Sequence, residues 1–190
     1  MRAYYMDELP GDQRLPHDQR LPHDSGNVVD DATLDKLGVL RWHIPVDPSG
    51  EWEGKVDAIA TERQYRNRDI CLVTKEGMGE DFEATLKRFY HEHMHEDEEI
   101  RYIIQGSGFF DVREFTTDAW IRLHLSAGDM IVLPAGIYHR FSLDMGNKSR
   151  TMRLFKDEPK WIAYNRSTET DSNPYRVDYL KSVQGVSVGA

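Results

Sequence analysis

A single cysteine, Cys71, stands in the 190 residues, so no disulfide framework is available. Its isolation points to a reducing compartment, and a cytoplasmic protein, with the nucleus left open as a second location, is the expectation. Long apolar runs are missing too. Met130–Leu133 is typical of the longest, far short of the ~20 apolar residues that a membrane-spanning helix needs. The acidic start MRAYYMDELPGD has no apolar stretch, and no secretory signal is expected from it. Basic residues are the minority, 24 Lys and Arg against 33 Asp and Glu, for a formal net charge of −9. No basic cluster relieves that field, which disfavours nucleic acid as a partner. What is present, 39% hydrophobic and 30% charged residues, suits one soluble domain over residues 1–190.

Residues 1–30 form an N-terminal segment that contains DQRLPH twice in tandem, at Asp12–His17 and Asp18–His23. Six residues are too few for a solenoid unit, and the repeat reads as a lengthened surface loop, which costs little per added residue. His17 and His23 are then expected to be solvated. Residues 31–92 read as helical decoration. Thr33 is placed to cap a helix that Gly38 ends, Trp52 to Arg66 is a second helix, and Phe82 to Tyr90 a third, with a short strand over Ile70–Thr74.

From Ile100 the texture changes to short strands: IRYIIQ, GFFDVR, WIRLHL, DMIVLP, HRFSL and RTMRLF. Turn formers such as Gly-Ser-Gly, Ala-Gly-Asp and Pro-Ala-Gly separate them. Regular short strands predict a mainly β fold, an antiparallel sandwich or barrel with N-terminal helices. Its core spans 93–166, and 167–190 reads as a C-terminal tail with a disordered end.

Within this frame lie His93, His95, Glu99 and, on a second strand, His139. Three imidazoles and one carboxylate suit a first-row divalent metal. Residues two apart on a strand share a face, so His93 and His95 aim at one point. Four ligands on an octahedral ion leave two adjacent positions for a chelating substrate, or for substrate and dioxygen, unlike a closed structural zinc site. His91 shares the parity of this pair; it is either the cation at a helix C-terminus or a further ligand. Arg101, two residues past Glu99, faces inward and either receives a substrate anion or pairs with an internal carboxylate. Phe141 faces inward as core or as a substrate wall. Cys71 reads as a small buried hydrophobe, and His43 and His124 as structural residues.

The spacing from His93 to Gly106 resembles the first motif of the cupin barrel, and Gly128 through Pro134 and Gly136 to His139 resembles the second. The likeness narrows over EHMHEDEEIRYIIQGSGFFDVRE, WIRLHLSAGDMIVLPAGIYHRFSLD and MRLFKDEPKWIAYNR, with YYMDELPGDQRLPH and LDKLGVLRW before them. Together these resemble the acireductone dioxygenases of the eukaryotic type, over nearly the whole chain. The tandem repeat and His91 depart from that pattern.

The resemblance implies a cupin enzyme of methionine salvage, a monomer acting on acireductone (1,2-dihydroxy-3-keto-5-methylthiopentene) and O2. With Fe2+ the products would be 2-keto-4-methylthiobutyrate and formate; with Ni2+, methylthiopropionate, formate and CO. It also implies His93, His95, Glu99 and His139 as ligands of one such ion, Arg101 as the residue that steers the enediolate, and Phe141 and Trp161 as pocket walls. The alternatives are a cupin isomerase or dioxygenase with another chelating substrate, and a binding cupin without catalysis.

Overall fold

A computed structural model describes residues 1–7, 18–157 and 162–185. Two antiparallel sheets share one long strand, β6 (Glu99–Arg113), where the sequence predicts two. In the first sheet, the C-terminal half of this strand lies between β7 (Trp120–Ser126) and β9 (His139–Leu143). Outside β7 come β1 (Arg2–Met6) and β2 (Asp24–Val28); outside β9 come β5 (His93–Met94) and β11 (Tyr164–Asn165). In the second sheet, the N-terminal half of β6 lies between β8 (Asp129–Leu133) and β10 (Lys148–Phe155). The edges there are β3 (Leu40–His43) beside β8 and β4 (Asn67–Thr74) beside β10. The fold is mainly β, as the strand pattern predicts.

Gly-Ser-Gly is therefore a bend inside a strand and no turn. Gly106 has φ +78°, and a Cβ on it would stand 2.0 Å from the Lys148 carbonyl oxygen, so only glycine fits. The pairing with β10 also slips one residue between Arg150 and Thr151. An extra residue in a strand reverses which side chains face inward. Before the slip, Glu99, Arg101 and Ile103 point between the sheets, while Ile100, Tyr102 and Ile104 pack outward. After it, the inward residues are Phe110 and Val112.

The outward face of the second sheet is covered by α2 (Glu51–Glu62), through Trp52, Val56 and Ala60. Trp52 stacks on Tyr102 at 5.3 Å between ring centroids. The remaining helices are α1 (Asp31–Lys36), α3 (Lys75–Met78), α4 (Phe82–Phe89), α5 (Thr168–Asp171) and α6 (Pro174–Gly185).

Several expectations need correction. Asp30, not Thr33, caps α1: its carboxylate accepts from the Thr33 amide at 2.8 Å. The N-terminal segment supplies two strands to the first sheet, and the expected helical decoration supplies β3 to the second, beside β4, which contains the short strand expected at Ile70–Thr74. His23 is buried, 3.3 Å from the Asp7 carboxylate, rather than solvated; His17 lies outside the described residues. The expected tail carries the helices α5 and α6, and Tyr179 and Val183 of α6 enter the main core. Burial of that apolar face, invisible in a stretch of turn formers, orders the segment.

Candidate metal centre

His93 and His139 face each other in register across β5 and β9, with ring centroids 4.5 Å apart. His95 follows two residues on, its ring 5.0 Å from that of His93. Glu99 enters from the start of β6, its Oε2 3.0 Å from His139 Nε2 and 3.1 Å from His95 Nε2. One potential ligand atom from each of the four lies within 4.8 Å of the others. His91 stays outside this group, exposed on the surface. Its carbonyl nonetheless orients a ligand.

Each of the three imidazoles has Nδ1 on a backbone carbonyl. His93 Nδ1 bonds to His91 O at 2.7 Å, His95 Nδ1 to Ile162 O at 2.7 Å, and His139 Nδ1 to Ile137 O at 3.0 Å. A carbonyl only accepts, so each Nδ1 holds the proton and each neutral ring presents an Nε2 lone pair to the centre. Two such lone pairs face the Glu99 carboxylate at 3.0–3.1 Å. That contact is repulsive unless a cation, or a second ring proton, stands between. A divalent metal with His and carboxylate ligands fits this donor set, down to the carbonyl partner on each far nitrogen.

The electrostatics without an ion agree. Burial drives the His93 pKa down to about 3, aided by the His139 charge. Burial also opposes a charge on His95, but the hydrogen bond and charge of Glu99 outweigh it and leave that pKa raised. Glu99 is held well below the usual carboxylate range although burial pushes the other way; the charges of Arg101 and His139 win. Arg101 Nη2 lies 3.2 Å from Glu99 Oε1. Of the two roles weighed for Arg101, the pair with an internal carboxylate is the one present, and the side chain also lines the cavity.

That cavity holds about 430 Å³ beside the four residues. Phe89, Phe110 and Phe141 form an apolar wall, with the Phe110 and Phe141 centroids 4.9 Å apart. Cys71 also lines the cavity, half-buried and packed against the same apolar cluster as Phe89 and Phe141, with Thr151 beside it on β10. Trp161 lies outside the described residues. Phe89, Phe110, Arg88 and Arg153 have no signal in the sequence read by strand parity alone. Phe110 becomes inward only through the slip in β6, and Phe89 arrives on the last turn of α4.

The family model described as ARD/ARD' matches residues 2–163. The chain belongs to the acireductone dioxygenase family. A relative named acireductone dioxygenase 1, from Coprinopsis cinerea, is 55% identical over 96% of this chain and 98% of its own length. The acireductone dioxygenase of Phaeosphaeria nodorum is 52% identical over 98% of this chain and 99% of its own. Among solved structures, acireductone dioxygenase from Bacillus anthracis with a cadmium ion in its active centre superposes with a TM-score of 0.60. It covers 73% of this chain and 93% of that one at 19% identity, a likeness of fold. The cupin barrel expected from the two motifs is thus the fold of this family member.

Proposed function

We propose that this chain is a metal-dependent acireductone dioxygenase of methionine salvage, using one Fe2+ or Ni2+ held by His93, His95, Glu99 and His139. The observation that carries the reading is the donor set itself: three Nε2 lone pairs and a buried carboxylate converging on one point beside a cavity with an apolar wall. Its substrates are acireductone and O2. The Fe2+ form would yield 2-keto-4-methylthiobutyrate and formate, and the Ni2+ form methylthiopropionate, formate and CO.

An ion held by His93, His95, Glu99 and His139 would supply Lewis acidity toward the substrate's oxygens. The chain's own residues do the rest. Glu99 brings one negative charge, so a divalent centre keeps a net positive field for an anionic substrate. Arg101 sits on the far side of Glu99 and meets the substrate anion in a pocket shielded from water, where a fixed cation counts for most. Phe141, with Phe89 and Phe110, takes the methylthio tail and keeps water from the electron-rich carbons. Trp161 is proposed as a further wall. Holding a chelated substrate against these groups replaces an encounter with a fixed geometry. The working unit is proposed to be a cytoplasmic monomer.

Metal-stripped protein reloaded with Fe2+ or Ni2+ should consume oxygen only when acireductone is supplied, with different products from the two forms. Arg101→Met should keep its metal and lose roughly 10²-fold in kcat/KM. Loaded protein that leaves acireductone unchanged in air would overturn the reading.

A further inference from the structure

One of the three ligand histidines, His95, is oriented by a segment that pairs with the barrel over only two residues. Strand β11 is two residues long and pairs with β5 alone, Tyr164 opposite Met94 and Asn165 opposite His93. Two residues before it, the Ile162 carbonyl accepts from His95 Nδ1. Immediately after it, Arg166 is tied down three times. Its amide donates to the Glu92 carbonyl at 3.1 Å, and its Nη1 to Glu92 Oε1 at 2.9 Å and to Asp118 Oδ1 at 2.8 Å. Glu92, next to His93, also takes a bidentate pair from Arg113 at 2.9 and 3.0 Å. Alternation along the strand places this cluster behind the ligands, on the outer face of the sheet. The Glu92 and Arg113 side chains are each only 16% exposed, so the pairs are partly shielded from solvent. None of these side chains lines the cavity.

We infer that Glu92 and Arg166 are positioning residues of the metal centre: their ion pair holds β11 against β5, and so keeps the Ile162 carbonyl on His95 Nδ1 and the Nε2 atom aimed inward. The inference rests on the metal-site reading above, but it adds a dependence that the four ligands alone do not imply. With Arg166 neutralised, β11 keeps its pairing with β5, the Arg166 amide on the Glu92 carbonyl and the Thr170 hydroxyl on the Asn165 carbonyl, but loses the side-chain ties to Glu92 and Asp118 that lie nearest Ile162. Ile162 then withdraws, and His95 is free to change tautomer and rotate. Carboxylate and carbonyl partners of metal-bound imidazoles commonly contribute roughly 10–100-fold to affinity.

The test uses the full chain, metal-stripped and titrated with Co2+ against a chelator. Arg166→Gln should bind Co2+ at least about tenfold more weakly than wild type, with altered visible absorption bands from the changed coordination. Glu92→Gln should follow in the same direction, and Arg166→Lys should recover part of the loss. A control, Arg41→Gln, removes ion pairs with Asp31 and Asp35, which touch none of the four ligands or the residues around β11, and should leave affinity unchanged. The metal-free unfolding temperature of Arg166→Gln should stay close to that of the control, separating positioning from general stability. Should Arg166→Gln fail to fold, Glu92→Gln carries the same test. Variants that bind Co2+ within twofold of wild type, with unchanged spectra, would overturn the inference. Wild type that binds no Co2+ would instead defeat the metal-site reading itself.

Discussion

At the scale of single residues, two of the buried charge clusters, around Glu99 and around Asp111, differ in their chemistry. Around Glu99, charge converges on a point where donors outnumber protons. On the outer face of the first sheet, Asp111 is fully enclosed and shared by two arginines, Arg122 at 2.6 and 2.8 Å and Arg140 at 2.9 Å. Burial raises the Asp111 pKa, but the charge and hydrogen bonds of Arg122 and then Arg140 outweigh it and lower it below the usual 3.8. The folded state therefore binds this proton less readily than the unfolded chain. Its stabilisation is complete above pH ~4 and fades as pH falls through the lower folded value. Asp111→Asn leaves two arginines buried without their counter-charge. It should cost about 3–5 kcal/mol at pH 7 and flatten the loss of stability between pH 4 and pH 2. Urea unfolding at both pH values measures this, and a variant equal to wild type at pH 7 would contradict it.

At the scale of elements, the long strand β6 serves both sheets and carries the site, since Glu99 and Arg101 lie before its bend and Phe110 after it. Gly106 makes the bend, and Gly106→Ala forces a side chain onto a positive φ and into the Lys148 carbonyl. The φ strain alone is worth about 1–3 kcal/mol, and at 2–4 °C per kcal/mol the unfolding temperature should drop by several degrees. A calorimetric scan decides it; an unchanged midpoint would mean the bend tolerates a side chain. The same bend limits what is legible from sequence. Alternation places Arg101 with Glu99 correctly, because no irregularity intervenes. It misplaces Phe110, because the slip between Ile103 and Gln105 is a property of the pairing with β10 and not of the residues themselves. Helices α2 and α4 are readable from apolar spacing, whereas α6 is not, since its order comes from Tyr179 and Val183 meeting a core whose other members, from Ala3 to Ile137, all lie far earlier in the chain.

At the scale of the whole molecule, folding brings Nε2 lone pairs and a carboxylate together before any ion arrives, and so the metal should act as a ligand that favours the folded state. At about 100 times its dissociation constant it adds ~2.7 kcal/mol. The loaded protein should unfold roughly 5–10 °C above the metal-free one, and Glu99→Gln should abolish most of that increment. Equal midpoints with and without metal would contradict a preformed centre. The sequence by itself determined which residues could bind: the period of two in His93 and His95, the interval to Glu99, and the Pro-Ala-Gly turn that returns His139. Those are local constraints, set by strand geometry and turn chemistry. Only the tertiary structure decided which nitrogen each histidine presents, because Ile162, 67 residues from His95, supplies the carbonyl that sets it. It likewise decided that His23 is buried and that the phenylalanines share one wall. Hydrogen-bond acceptors and packing partners distant in sequence leave no periodic trace in the chain, and they exist only once the sheets have closed.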